Sequence, residues 1–246
     1  MRGLARWNAM VARYESPRMA ALYVLHRVLQ GLSGGRAAIV PYMLVAQPIG
    51  NKALAGVNPD PHTVVQVVGP GHPLVTAFPR PPHVIAQRFA QGHTCYAASV
   101  KGQFAGHVWI ANGTYVEDEV RCMYEIADPS SGVWDYDVYV EPRFRMGRTM
   151  ARLWKAVDDA LAAQGVRWSF SRINRFNGAS LRSHGRLGAV PVGRAIFAVF
   201  GSWQCHTLQP PALAMSRQVL RTGRPVVLRV TPPPGCTLQP LRSVDP

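Results

Sequence analysis

The chain has 246 residues, 48% of them apolar and 16% charged. An apolar share of that size supports a packed core and excludes a wholly disordered chain, and the length allows one or two domains. Lysine and arginine total 27 against 13 acids, a net charge of +14, which favours anionic partners.

Residues 7–31 read as helix, because Leu22, Leu25, Val28, Leu29 and Leu32 recur at three-to-four-residue spacing before Gly34-Gly35. Strand-like runs follow at Ala38–Ala46 and Thr63–Val68. Prolines 70, 73, 79, 81 and 82 exclude a long regular element between 69 and 82. Val84–Ala90 reads as a short helix. Thr94–Val100 and Gln103–Ala111 read as strands joined by a two-residue turn at Lys101-Gly102. Val120–Ala127 and Val133–Val140 are further strands. In the second, alternation puts Trp134, Tyr136, Val138 and Val140 on one face and Asp135, Asp137 and Tyr139 on the other. Gly147–Gln164 is helical, with Met150, Leu153, Trp154, Val157 and Leu161 on one stripe and Gly165 as terminator. Val166–Ile173 is a strand, Gly178–Leu187 a helix and Val190–Gly201 a strand. The proline-rich stretch 204–246 reads as a poorly packed tail with one short helix and one strand. This order predicts an α/β (α+β) fold with a mixed sheet.

Cys95, Cys122, Cys205 and Cys236 show no CxxC spacing, which excludes a zinc ribbon and speaks against a disulfide framework. Free buried thiols in a reducing cytoplasm are the expectation. The longest apolar run, Met19–Leu25, is far short of the ~20 residues of a membrane span. No signal-type segment is present. The expectation is a soluble cytoplasmic protein, the alternative being a basic N-terminal helix resting on a membrane surface. The histidines show no metal-ligand spacing, so no metal is expected.

Only three of the cations are lysine (Lys52, Lys101, Lys155). An arginine bias fits a GC-rich genome and equally fits bidentate phosphate binding; composition does not separate them. The charge is also segregated. No acid occurs from Ala160 through Val244, and 141–194 holds ten arginines, whereas 117–141 holds eight acids. The basic part suits an anion and the acidic part a cation such as an amine, or the two pair across the fold. Between them the strand VWDYDVYV runs through EPRFRMGR into a helix. Such a junction presents amide N–H groups and a helix dipole to phosphate oxygens, with Arg143, Arg145 and Arg148 beside it.

These residues resemble the acyl-CoA-binding half of the GNAT superfamily of N-acyltransferases. The matching motif is Val140-Glu141-Pro142-Arg143-Phe144-Arg145-Met146-Gly147-Arg148, with Leu153 in the following helix. A second runs through Asn177, Ser180, His184 and Gly188-Ala189, and Gly102 and Gly106 suit the family's second and third strands. The resemblance covers about 93–201. It implies a mostly antiparallel central sheet flanked by helices. The implied domains are an acceptor-side N-terminal extension (1–92), an acyl-CoA-binding core (93–203) and the tail (204–246). Met146, Arg148 and Met150 replace the family's usual glycines, His184 its tyrosine and Ala189 its phenylalanine.

The resemblance further implies direct acyl transfer from acetyl-CoA, or another acyl-CoA, to an amine acceptor. Tyr139 and Val140 would line the pantetheine arm. Arg145, Met146, Gly147, Arg148 and Thr149 would hold the diphosphate. Asn177 would bond the pantetheine arm or cap the next helix. His184 would protonate the leaving thiolate as an imidazolium, or merely pack. Asp137, Asp135 and Glu125, in that order, would accept or steer the amine proton, unless the aspartates pair with Arg167 or Arg172. A monomer or homodimer is expected. Two alternatives stand beside this reading: a GNAT-like CoA-binding protein without turnover, and a basic nucleic-acid-binding module. No nucleic-acid recognition signature supports the latter.

Overall fold

The structure, a computed structural model, describes residues 2–14, 16–209, 216–221 and 225–233. In chain order the elements are α1 (Arg2–Tyr14), α2 (Pro17–Leu32), β1 (Ala37–Pro48), β2 (Thr63–Val68), α3 (Pro82–Ala90), β3 (Thr94–Val100), β4 (Gln103–Asn112), β5 (Thr114–Val116), β6 (Cys122–Ile126), β7 (Gly132–Val140), α4 (Thr149–Ala163), β8 (Trp168–Asn174), α5 (Gly178–Arg186), β9 (Val190–Phe200), β10 (Trp203–Gln209), β11 (Ser216–Arg221) and β12 (Val226–Val230). Nine strands form one sheet in the order β11-β10-β9-β1-β8-β7-β4-β3-β2. Its neighbours are antiparallel except β7 and β8, which run parallel. A smaller sheet has the order β12-β6-β5. The fold is therefore mixed α/β with a mostly antiparallel central sheet.

Local chemistry explains most boundaries. The N-terminal helix is broken in two at Pro17, which lacks an N–H, and Ser16 Oγ accepts from the Met19 amide to restart the chain as α2. Lys101 and Gly102 have φ of +50° and +76°, the left-handed pair a two-residue hairpin needs. Leu153, Trp154, Val157 and Leu161 on α4 are buried against β3 and β4 residues such as Tyr96, Ala98, Val108 and Ile110. Each contributes about 1.5–3 kcal/mol of apolar burial. Gly165, with φ +79°, ends the helix. The opposite face of the sheet holds the aromatic core, with Trp109, Trp134, Tyr124 and Phe170 fully buried.

Three expectations change. Residues 203–209 and 226–230, expected in a loose tail, form β10 beside β9 and β12 beside β6, and β11 pairs with β10; no helix occurs among the described residues there. One mixed sheet was expected, but the strand expected at Val120–Ala127 forms as β6 in a second, smaller sheet. β1 lies inside the large sheet between β8 and β9, so the N-terminal segment is woven into its centre. Cys95 and Cys122 are buried free thiols, Cys205 is exposed, and Cys236 lies outside the described residues. Among the described residues no helix is long and apolar enough to cross a membrane.

Candidate functional site

The central sheet opens at β7 and β8, its one parallel pair among the described residues. β7 and β8 are in register over Gly132/Trp168, Val133/Ser169 and Trp134/Phe170 and no further. Beyond that point β7 stays with β4 as far as Val140, and β8 stays with β1 through Asn174. The two half-sheets diverge and leave a wedge between residues 135–140 and 171–174. A bulge bends β7 where the wedge opens. Between the His107/Tyr139 and Trp109/Tyr136 pairs β7 carries one residue more than β4, and Asp137 takes a left-handed φ of +47°. Gly106 permits the close approach, since a Cβ there would meet the Tyr139 carbonyl oxygen at 2.5 Å.

The extra residue reassigns the strand's faces. Asp135 lies on the α4 side, where Ser169 Oγ donates to its Oδ2 at 2.7 Å. Asp137 lies on the aromatic side with Tyr136 and Tyr139, so the regular alternation expected for 133–140 fails beyond Tyr136. Asp135 is 1% exposed, and burial pushes its carboxyl up to about 7 against the opposing hydrogen bond of Ser169. His184 is also buried, edge-on to Trp154 with ring centroids 5.8 Å apart, and desolvation lowers its imidazole to about 4. It is therefore neutral at pH 7, and the imidazolium expected for an acid is not its resting form. Asp135 Oδ1, Trp154 Nε1 and His184 Nδ1 are buried without hydrogen-bond partners.

On the opposite face Asp137 is held by Arg80 and Arg88, with His107 Nε2 3.6 Å away. Burial alone would raise this carboxyl; facing His107, Arg80 and Arg88 instead hold it well below the usual carboxylate range. The aspartates thus pair with neither Arg167 nor Arg172. Arg172 binds Glu117, and Arg88 reaches Asp118 at 3.4 Å. Several acids of 117–141 are therefore spent on arginines. Tyr42 donates to Glu119, which has no cationic partner among the described residues. Arg80, Arg88, Arg172, Asp118, Glu119 and Asp137 line a cavity of about 300 Å³ at the wedge.

β7 leaves the sheet through a 3-10 turn at Pro142–Phe144 and enters α4. The bend is open to solvent, with Met146 98% exposed. Arg148 stands at the N-cap without a side-chain cap bond, and no acid lies in the first turn of α4. The leading amides are thus left for an external acceptor. Arg143 turns away to donate to Gln103 Oε1 (2.9 Å), and Arg145 Nε donates to the Val140 carbonyl (2.8 Å). Of the three flanking arginines, only Arg148 has no such hydrogen bond.

Asp135, Asp137, Tyr139 and Val140 lie along the wedge edge of β7, and the bend at 145–149 follows, with Arg145 over Tyr139 and bonded to Val140. Tyr139 donates to Glu141 Oε1 at 3.3 Å and stacks on Phe104. Asn177 caps α5 by accepting from the Ser180 amide at 3.1 Å. Glu125 is not brought to the wedge. It sits on β6 facing Arg229 at 3.5 Å, pointing away from the buried Tyr124 and Ile126. Arg80, Arg88 and His107 escaped the sequence reading, because nothing in a proline-rich loop, a short helix and a strand marks which residues will meet a distant bulge. Among the described residues no group of three histidines, cysteines or carboxylates could hold a metal ion.

No family model matches the chain, and no curated protein does. Solved structures do resemble it. A functionally unknown conserved protein from Staphylococcus epidermidis shares 16% identity over 75% of this chain and 67% of its own, with a TM-score of 0.46. A tandem GNAT protein from the clavulanic acid biosynthesis pathway shares 16% over 71% and 55%, TM-score 0.48. A putative GNAT-family acetyltransferase from Novosphingobium aromaticivorans shares 16% over 72% and 69%, TM-score 0.45. This chain spans about half of the tandem protein.

Proposed function

We propose that the protein is an acyl-CoA-dependent N-acyltransferase. The observation that carries this is the solvent-open, uncapped first turn of α4 at the end of a strand that has parted from its neighbour. The amides of 148–151 and the helix dipole suit the diphosphate of an acyl-CoA, with Arg148 adding charge. The wedge leaves room for the thioester between β7 and β8. The amine acceptor would enter from the opposite face through the cavity at Arg80 and Glu119, whose unpaired carboxylate attracts an ammonium group.

In direct transfer the amine nitrogen bonds the acyl carbon, the C–S bond breaks, and the proton lost by nitrogen is matched by one gained by the thiolate. Asp135, where the strands separate, has a carboxyl near 7 and is suited to exchange a proton at neutral pH. Asp137 is tied by two arginines and is a poor base; its part is to hold the bulge. His184, neutral and against Trp154, is assigned a packing role.

The test is thermal stability with acetyl-CoA, followed by CoA release across a panel of amines. Saturation at 100 times Kd adds ~2.7 kcal/mol. No shift with acetyl-CoA or longer acyl-CoAs sinks the proposal. One observation favours a second reading, a CoA-binding protein without turnover: His184, in the place of the expected acid, is buried and its imidazole is lowered to about 4, so it holds no proton to give at pH 7. A thermal shift without CoA release from any acceptor supports that version.

A further inference from the structure

A second cavity, of about 340 Å³, lies between the start of α2 and strands β9 and β10. It is lined by Arg18, Arg175 and Arg194 together with Ser16 and Thr207, and no carboxylate is among its lining residues. No acid pairs with any of the three arginines among the described residues. The sequence shows why: the stretches that build the cavity, 16–59 and 160–244, contain no Asp or Glu at all. Glu15, the carboxylate next to Ser16 in the chain, lies outside the described residues.

Three guanidinium groups gathered around one space without a counter-ion among the described residues repel one another. Arg175 registers this, since burial and the neighbouring Arg194 both push its pKa down. Its backbone is fixed, with its amide donating to the Pro41 carbonyl at 2.7 Å, so the stem of the side chain starts at a set place on the cavity wall. Arg194 is on β9 and Thr207 on β10, two and three strands from β8. At ~4.8 Å per strand they lie roughly 10–14 Å from the wedge. Arg175 directly follows β8, so the cavity begins beside the wedge at Arg175 and extends away from it to Arg194 and Thr207.

We propose that this cavity is an anion site that takes a phosphate group, gripped by the forks of Arg18, Arg175 and Arg194. The phosphate belongs either to a separate phosphorylated ligand or to the 3′ position of a CoA whose nucleotide end reaches across α5.

The experiment measures thermal stability with inorganic phosphate against chloride at equal ionic strength, for the full chain and for Arg175→Gln/Arg194→Gln. Phosphate should raise the melting temperature of the natural protein and leave the double variant unmoved. Arg18→Gln, an exposed change on α2, should weaken apparent phosphate affinity at least about tenfold, the loss of one charge-assisted bond. No shift beyond chloride in the natural protein overturns the site. So does an undiminished shift in the double variant, which would place the phosphate elsewhere, such as at the first turn of α4. So does a shift that emerges only in Glu15→Gln, which would make Glu15 the built-in counter-ion. Binding of acetyl-CoA and its 3′-dephospho form then separates the sources. If the double variant weakens only the phosphorylated form, the phosphate is that of CoA. If it weakens neither while losing the phosphate shift, the ligand is separate.

Discussion

Asp135 and Asp137 stand two residues apart on β7 yet point to opposite faces of the sheet. Asp135 accepts from Ser169 on the α4 side, and Asp137 binds Arg80 and Arg88 on the aromatic side. In a regular strand they would share a face. The single extra residue of the bulge separates them and gives them opposite electrostatic surroundings.

Replacement of Asp137 by asparagine leaves Arg88, 6% exposed, without its buried carboxylate partner. A loss of about 3–5 kcal/mol in urea denaturation is expected. The folded pKa of Asp137 is depressed, so its contribution is complete above the ordinary carboxylate range and fades as pH falls below it. The variant should therefore unfold at neutral pH much as the natural protein does in acid. A change below about 1 kcal/mol would show that Asp118 suffices for Arg88.

Asp135 has the opposite sign. Its folded pKa is raised to about 7, so its contribution is complete below the unfolded value near 3.8 and is lost as pH rises toward 7. The buried histidines, with lowered pKa values, act the other way. The diagnostic is thus a difference. Asp135→Asn, which mimics the protonated acid, should gain stability relative to the natural protein between pH 5 and pH 8. Denaturation curves at both values measure it, and equal differences would mean that Asp135 is ionised throughout.

Arg148→Asp should separate helix stability from ligand binding. A carboxylate at the N-cap satisfies amides that no side chain now caps, adding about 0.5–1 kcal/mol. The same carboxylate repels and displaces a diphosphate, so protection by acetyl-CoA should vanish. A variant that still binds acetyl-CoA with unchanged affinity would remove the first turn of α4 from the site.

Gly106→Ala tests the bulge. The added methyl meets a backbone oxygen, which cannot rotate away, so β4 and β7 must move apart at a cost of about 1–3 kcal/mol. Because the shift falls on Tyr139 at the wedge, turnover should drop more than an equally destabilising change on the far edge strand β2. Equal losses would uncouple the bulge from function.

Much was legible because it is local. The spacing of Leu153, Trp154, Val157 and Leu161, the Lys101-Gly102 turn and the Asn177 cap are properties of short stretches of chain, and they appear in the fold as the sequence implies. The strand-to-helix junction before α4, flanked by Arg143, Arg145 and Arg148, was also visible, but that Arg148 and not Thr149 stands at its N-cap was not. The absence of carboxylates from 160–244 was visible too. Tertiary structure decided the rest. A period-two pattern assumes an unbroken ladder, and the bulge that breaks it depends on Gly106, a residue on another strand. The insertion of β1 between β8 and β9, the meeting of Asp137 with Arg80 and Arg88, and the burial that moves Asp135 toward neutrality are contacts between distant parts of the chain. Local propensity dictates where helices and strands form; which charges are desolvated together is set only when those elements pack.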